Sequence, residues 1–211
     1  MKISSFADII TSEAELRTLI GQPAELIKQK KLNELDIHAV EFIARSPLLF
    51  IGTRDDRGCC DVSPRGDPPG FVRILDNKHL VIPERPGNRL ADSLCNIIET
   101  GAVGLLFVIP GVEDIFRING RACITRTPEL LQSMSVQEKV PLIAIGIEIE
   151  ECYFHCAKAI KRSRLWDTAS WKDSGDLPSL AKVIMDQTKS TDITIEELEE
   201  TIKESYATRL Y

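Results

Sequence analysis

The sequence predicts a mainly β protein with flanking helices, an α+β fold built around an antiparallel sheet. Between residues 47 and 166, short apolar or alternating segments are joined by tight turns, with one helical pattern midway. Helical patterns precede and follow this region, while the βαβα order and the GxGxxG turn of a doubly wound fold are missing. We expect about six or seven strands. Because closure removes exposed strand edges, we expect the sheet to form a barrel.

The chain is expected to form one compact domain with three parts. Helices over residues 1–46 would pack on a barrel over 47–166, and 167–211 would form a C-terminal helical appendage.

Three helices are predicted in the N-terminal part. Ser12 stands three residues before Glu15, which is the spacing of a capping box. Pro23 suits the first turn of a second helix. A third helix has an apolar face over residues 37–44 and is expected to end near 46, because a proline follows.

Two hairpins are expected next. Leu48–Arg54 and Cys59–Ser63 flank an Asp-Asp-Arg-Gly turn, and Phe71–Leu75 and His79–Ile82 flank an Asp-Asn-Lys turn. Pro64–Gly70, with three prolines and two glycines, is expected to be a loop between them.

Apolar patterns and turn residues predict the remaining elements. They are a helix that starts at Arg85–Arg89 and is closed by Gly101, strands over 102–109, 116–124 and 143–150, a short helix from 127–129, and helices over 153–162, 178–187 and 194–207.

Composition narrows the possible functions. The net charge of -6 argues against non-specific nucleic-acid binding, which requires a basic surface. The N-terminus lacks a secretory signal pattern, and no segment approaches the length of a membrane span. We therefore expect a cytoplasmic protein that binds neither nucleic acid nor membranes, with six cysteines as free thiols.

Two arginine-bearing segments are candidates for binding an anion. Ser63 and Arg65 are two residues apart, so at a strand end they point to the same side and together can hold a phosphate. The alternative is a surface pair between Arg65 and Asp67. Arg85–Arg89 enters a predicted helix, whose N-terminus attracts anions. There, the alternative is that Asn88 only caps the helix.

Two further groups of residues were considered. Arg117, Asn119 and Arg121 lie on one face of a predicted strand, and a solvated face is the simpler interpretation. Cys152, His155 and Cys156 would share one face of the helix over 153–162 and could ligate zinc. Because a structural zinc site uses four ligands, packing is favoured and no metal is predicted. No catalytic residue stands out.

A family resemblance unites several of these segments. Residues 63–70 (SPRGDPPG), 82–89 (IPERPGNR), 106–111 (LFVIPG) and 117–122 (RINGRA) resemble, in this order, the pyridoxamine 5'-phosphate oxidase-like family of flavin mononucleotide (FMN) proteins. Residues 152–166 look like the C-terminal part of one branch of it. The Arg-Pro ending of the true vitamin B6 enzyme is missing, so the resemblance is to a different branch.

The resemblance implies an antiparallel split β-barrel of the FMN-binding type, forming a homodimer with the cofactor at the subunit interface. Ser63 and Arg65 would lie near the phosphate or ribityl chain, and Ile82 and Pro83 would present main chain to the isoalloxazine ring. The other implied cofactor contacts are Arg85, Asn88 and Arg89 in the same chain and Lys161, Arg164 and Trp166 from the partner chain.

The function implied by the resemblance is an FMN-dependent oxidoreductase acting on an unidentified small substrate. Two alternatives stay open: a non-catalytic flavin- or haem-binding carrier or sensor, and a reductase that uses deazaflavin F420.

Overall fold

The computed structural model describes residues 6–172, 175 and 177–211. Within them the chain forms a seven-stranded sheet flanked by helices. The strands are β1 Leu48–Arg54, β2 Cys60–Gly66, β3 Arg73–Ile74, β4 His79–Pro83, β5 Ala102–Val108, β6 Ile115–Thr125 and β7 Ala144–His155. The helices are α1 Glu13–Ile20, α2 Glu25–Gln29, α3 Ile37–Arg45, α4 Asp92–Thr100, α5 Pro128–Ser133, α6 Lys158–Ser163, α7 Leu180–Thr188 and α8 Ile195–Thr208, with a 3-10 turn at Thr168–Ser170.

The sheet has the strand order β2-β1-β5-β6-β7-β4-β3, and every neighbouring pair is antiparallel. This is the expected antiparallel split β-barrel with flanking helices. The strands at the two ends of the order, β2 and β3, share no main-chain ladder among the described residues.

The core lies on the inner face of the sheet, as strand periodicity requires. Leu49 and Ile51 of β1 are fully buried, whereas Phe50 between them is 38% exposed on the outer face. Helix α3 contributes Ala39 and Ile43 to this core. Helix α4 packs beside β1 and β2 and also contacts β6, so it holds the first hairpin against the barrel.

A β-bulge between Asn119 and Gly120 shifts the register of β6 against β7. Gly120 is required there, because a Cβ atom at this position would lie 2.1 Å from the carbonyl oxygen of Glu148. The bulge allows these two long strands to bend around the barrel.

Four local predictions are wrong. The predicted helix over 153–162 is the end of β7 as far as His155, followed by the shorter α6. β2 runs to Gly66 rather than ending at Ser63, so Pro64, Arg65 and Gly66 lie in a strand rather than in a loop. β3 is only two residues long, and α4 begins at Asp92 rather than directly after Arg89.

The other helices form as predicted. The Ser12 hydroxyl accepts from the Glu15 amide at the start of α1, and α7 and α8 lie within about two residues of their predicted limits. The division into N-terminal helices, barrel and C-terminal appendage stays a prediction. No helix among the described residues has the length and apolar character to cross a membrane.

Candidate functional site

The two segments that carry the predicted phosphate contacts meet at the split of the barrel. The Arg65 Nε donates to Glu84 at 2.9 Å, and the Arg85 Nε donates to Asp67 at 2.7 Å. Each pair joins the end of β2 to the residues directly after β4. The two pairs are crossed: each segment supplies the arginine of one pair and the carboxylate of the other. We call this region, with Ser63, the β2–β4 cleft.

Local sequence explains how these side chains reach the cleft. Pro64 is tolerated in β2 because β2 is an edge strand, where a missing N–H breaks no inner ladder. Ser63 and Arg65 are therefore held on one side of an extended strand. After β4, the Glu84 amide continues the ladder by donating to the carbonyl of Ile143 at 3.2 Å. The predicted surface pair between Arg65 and Asp67 does not form, because each has a partner across the split.

A chain of hydrogen bonds runs from Arg65 to the first turn of α4. The Arg65 Nη1 donates to the Ser63 hydroxyl at 2.8 Å, which lies 2.7 Å from the hydroxyl of the buried Ser93. Ser93 donates to Asp61 at 2.6 Å. Because the single Ser93 proton is used there, Ser63 donates to Ser93. Ser63 must therefore rotate its hydroxyl to donate to a ligand.

The surroundings of Arg85 are more buried than those of Arg65. Its carboxylate partner, Asp67, has a side chain only 1% exposed. The Arg85 Nη2 also donates to the carbonyl of Met134 at 2.9 Å. The ring of Tyr211 lies 5.4 Å from the Arg85 guanidinium carbon, and its hydroxyl donates to Asp67 at 2.7 Å. This hydrogen bond, together with some burial, raises the pKa of Tyr211 above its usual value.

Asn88 and Arg89 are not at a helix N-terminus, so the predicted anion site there does not form. Arg89 is exposed in a left-handed conformation with φ 65°, and Ala91 at φ 61° precedes α4. The Asn88 side chain accepts from the Leu90 amide, so it caps a turn rather than the helix. Asp92, not an arginine, is in the first turn of α4.

Ile82 and Pro83 have fully buried side chains. They pair with Ile145 and Ala144 of β7, whereas β3 pairs only with Leu80 and Val81. Among the described residues, the opposite edge of the Ile82–Pro83 main chain has no strand partner. The main chain of Ile82–Pro83 at the end of β4 therefore lies beside the cleft without a strand partner on that edge, although both residues are fully buried within the single chain.

Lys161, Arg164 and Trp166 form a separate group around the loop between β5 and β6. Lys161 pairs with Glu113 at 2.5 Å, and the Trp166 indole donates to the carbonyl of Val112 at 2.8 Å. The Arg164 Nε donates to Asp167 at 3.0 Å. These bonds connect the group to itself and to the loop rather than to the cleft of the same chain. Their predicted reach into a partner's cleft stays a prediction.

The outer face of β6 and β7 carries a cationic cluster. The Arg117 guanidinium and the amines of Lys30 and Lys31 lie 5.3 to 5.7 Å from the centre of the Tyr153 ring. Burial, and then the charges of Arg117 and Lys30, lower the pKa of His155. Arg121 is exposed on the same strand, whereas Arg117 and Asn119 are half-buried. This face is therefore polar, as expected.

The proposed metal ligands are not arranged on a helix face. Cys152 and His155 lie on β7, and Cys156 follows it. Cys152 is buried, which raises the pKa of its thiol to about 11. Among the described residues, no group of three or more His, Cys, Asp or Glu side chains is placed to hold a metal ion.

The sequence analysis missed three residues that shape the cleft. Glu84 lies inside residues 82–89, a segment that carries the resemblance, so its position in the sequence could have indicated that it is near the cofactor contacts. Ser93 is the second residue of α4, a predicted helix, but its partners lie on another element. Tyr211 is separated from Asp67 by 144 positions, and no local pattern indicates its contact.

The cleft can be tested for its fit to a phosphorylated ring. Its hydroxyl and its two guanidiniums are suitable donors for a phosphate. The main chain at Ile82–Pro83 can meet a polar ring edge mainly through carbonyl oxygens, because Pro83 has no N–H. Three carboxylates, Asp61, Asp67 and Glu84, face two guanidiniums, which leaves one negative charge in excess. The donors fit, but a phosphate there requires further cations from outside the hydrogen-bonded network.

Comparison with known proteins identifies the family of this antiparallel split barrel. The family model described as pyridoxamine 5'-phosphate oxidase matches residues 35–156, more than half of the chain. The chain belongs to the pyridoxamine 5'-phosphate oxidase family. This confirms the resemblance, and the matched range includes the cleft as well as Arg117, Tyr153 and His155 of the cationic cluster, but not its lysines Lys30 and Lys31. Among curated proteins, no sequence matches the chain.

Several solved structures are similar to the chain at low identity. HupZ of Group A Streptococcus is 18% identical, with 57% of this chain and 93% of that chain covered and a TM-score of 0.47. General stress protein 26 of Bacillus anthracis is 13% identical, with 55% and 88% covered and a TM-score of 0.43. An FMN-binding protein of Syntrophomonas wolfei is 10% identical, with 68% and 96% covered and a TM-score of 0.42.

Proposed function

We propose that the chain binds FMN in the β2–β4 cleft and, as a homodimer, acts as an FMN-dependent oxidoreductase on a small substrate. The observation that carries the proposal is the convergence of Ser63, Arg65 and Arg85, from segments about twenty residues apart, on one cleft at the barrel split. Membership of the pyridoxamine 5'-phosphate oxidase family supports the choice of a flavin.

Each residue has a proposed task. Arg65 and a rotated Ser63 bind the phosphate or ribityl chain, and the main chain of Ile82 and Pro83 contacts the ring edge. Arg85 supplies a second guanidinium, and Asn88 and Arg89, in the exposed turn before α4, add polar contacts. The bound flavin supplies hydride or electron transfer, while the protein orients the substrate and excludes water.

The charge excess in the cleft supports a site shared by two chains. Lys161 and Arg164 have side chains more than 60% exposed, in ion pairs that are weak at a surface and can be exchanged. Supplied by a partner chain, they would neutralise the excess, and Trp166 would add an aromatic surface. This also weighs against F420, whose longer anionic tail needs still more cations.

The outer face of the sheet supports dimer formation. Phe50 on β1, Val62 on β2 and Leu106 on β5 are exposed on adjacent strands, and Phe50 pairs directly with Leu106. Beside them Gly52 pairs with Gly104, which leaves this part of the face flat. A second copy of the chain packed on this face would bury the apolar side chains.

FMN binding is tested by adding FMN to the purified protein, removing free flavin by gel filtration and recording an absorption spectrum. The wild type should retain flavin, and Arg65→Gln should bind it roughly tenfold or more weakly, since hydrogen bonds to charged groups are worth ~1.5–3 kcal/mol. Arg45→Gln, at an exposed pair on α3, is the matched control. A colourless wild-type protein at saturating FMN contradicts the proposal.

The shared site is tested by subunit complementation. Arg65→Gln and Lys161→Gln chains are mixed after mild dissociation. If each site uses Arg65 of one chain and Lys161 of the other, about a quarter of all sites should recover FMN affinity, because random pairing gives half heterodimers with one intact site each. No recovery contradicts the shared site. Reduction of the flavin by NADH or NADPH and turnover with an acceptor then separates an enzyme from a carrier.

A further inference from the structure

Tyr211 connects the C-terminal part of the chain to the β2–β4 cleft. It follows α8, and its hydroxyl donates to Asp67 at 2.7 Å while its ring faces the guanidinium of Arg85. A third contact is the Lys139 amine, which donates to the main-chain oxygen of Tyr211 at 2.9 Å. Tyr211 therefore binds the same arginine that the proposed function assigns to the cofactor.

We infer that Tyr211 competes with the cofactor for the Arg85 end of the β2–β4 cleft, so that FMN binds fully only when Tyr211 has left. The inference rests on the proposed function and adds regulation to the same site. An anion can then occupy Arg85 only when the segment after α8 is not docked on the cleft.

The arrangement around Arg85 explains why both cannot bind. Its Nε is used by Asp67 and its Nη2 by the carbonyl of Met134, while the Tyr211 ring covers the guanidinium. The Arg85 side chain is only 14% exposed in this arrangement. A phosphate that approaches from the face covered by the Tyr211 ring must displace Tyr211, which is the partner not anchored in the barrel.

The segment that carries Tyr211 can detach without unfolding the barrel. Helix α8 has no buried residue, its main contacts are with α7, and Leu210 is 61% exposed. Segments with so little buried surface open at a small fraction of the global unfolding free energy. The Tyr211 phenol is protonated at neutral pH even at its usual pKa, and the Asp67 hydrogen bond raises this pKa further. The ligand rather than a change near neutral pH therefore releases the segment.

The test measures the Kd for FMN by quenching of flavin fluorescence. A protein whose binding-competent state is only partly populated shows a raised apparent Kd. Loss of a hydrogen bond to a charged group should undock the segment, so Tyr211→Ala should bind FMN about tenfold more tightly than the wild type. Tyr211→Phe keeps the ring and should be intermediate, while Leu210→Ala, the exposed neighbour, should match the wild type.

A second measurement uses hydrogen exchange in the unmodified protein. FMN should accelerate amide exchange over residues 205–211, and the Tyr211→Ala chain should exchange rapidly there with or without FMN. Equal Kd values for the wild type and Tyr211→Ala, or weaker binding by Tyr211→Ala, overturn the inference while leaving the proposed function intact. If neither chain binds FMN, the proposed function itself fails and the inference with it.

Discussion

Replacing Asp67 with alanine should weaken the barrel split more than any exposed ion pair could. The Asp67 side chain is 1% exposed and accepts from the Arg85 Nε and from the Tyr211 hydroxyl, both at 2.7 Å. Asp67→Ala removes both bonds and leaves the Arg85 guanidinium, 14% exposed, without its carboxylate. An uncompensated charge in a nearly buried position is the main cause of the expected loss.

The magnitude follows from burial. Breaking one partner of a buried pair costs ~3–5 kcal/mol, and because Arg85 retains some solvent contact we expect the lower end, about 3 kcal/mol. At an m-value of ~2–3 kcal/mol/M, the midpoint of urea unfolding should fall by about 1 M or more. Asp67→Asn keeps an oxygen acceptor without the charge, so it should lose less.

Urea denaturation followed by circular dichroism measures the difference. Glu41→Ala, which removes the exposed partner of Arg45 on α3, is the matched control and should change the unfolding free energy by at most ~0.5 kcal/mol. The double variant Asp67→Ala with Arg85→Met should recover part of the loss, because no unpaired charge remains. Equal effects of Asp67→Ala and Glu41→Ala would refute the reasoning.

Three other properties can be checked separately. Gly120→Ala should lower the unfolding free energy by about 2 kcal/mol or more, because its Cβ would overlap the neighbouring strand's main chain, whereas Gly52→Ala, with no atom nearer than 3.8 Å, should be tolerated in the same urea assay; equal losses would contradict this. In thiol labelling at pH 8, Cys152 should react last, since a pKa of about 11 leaves roughly a hundredfold less thiolate than the usual value; labelling as fast as that of the exposed cysteines would contradict this. Arg117→Gln should raise the pKa of His155 toward its usual value by removing a nearby positive charge, as followed by NMR titration; an unchanged or lower pKa would show that this charge is not felt.

The barrel strands with strong periodicity could be predicted from the sequence, because the pattern arises from burial of one face. β1 and the apolar β5 are examples, and their limits differ from the predicted ones by at most one residue. The helix predicted over 153–162 shows the limit. Residues 152–155 also alternate inward and outward, but Phe154 is placed by its contacts with Phe42 and Phe116 on other elements. Such tertiary contacts decide between strand and helix where the local pattern allows both.

Some residues of the candidate site could be predicted from the sequence and others could not. The meeting of the Arg65 and Arg85 segments was implied by the family resemblance, and their motifs could be identified in the sequence. Their partners could not, because Glu84, Asp67 and Tyr211 are assigned only when the barrel brings the ends of β2 and β4 together. The left-handed turn at Arg89 could not be predicted either, since nothing in the segment over residues 85–91 fixes where the following helix begins.

The crossed ion pairs give the split of the barrel two connected properties. They join the end of β2 to the residues after β4, which share no main-chain ladder among the described residues. They also keep both guanidiniums bound to carboxylates unless a stronger anion displaces one of them. A phosphate that takes the Arg65 Nε must displace Glu84, so at that atom ligand binding and closure of the split compete for the same donor. Because the carboxylates outnumber the guanidiniums in one chain, this exchange is unfavourable unless cations arrive from elsewhere. Under the proposed function, Lys161 and Arg164 of a second chain would supply this charge, and the dimer would then be part of the proposed site.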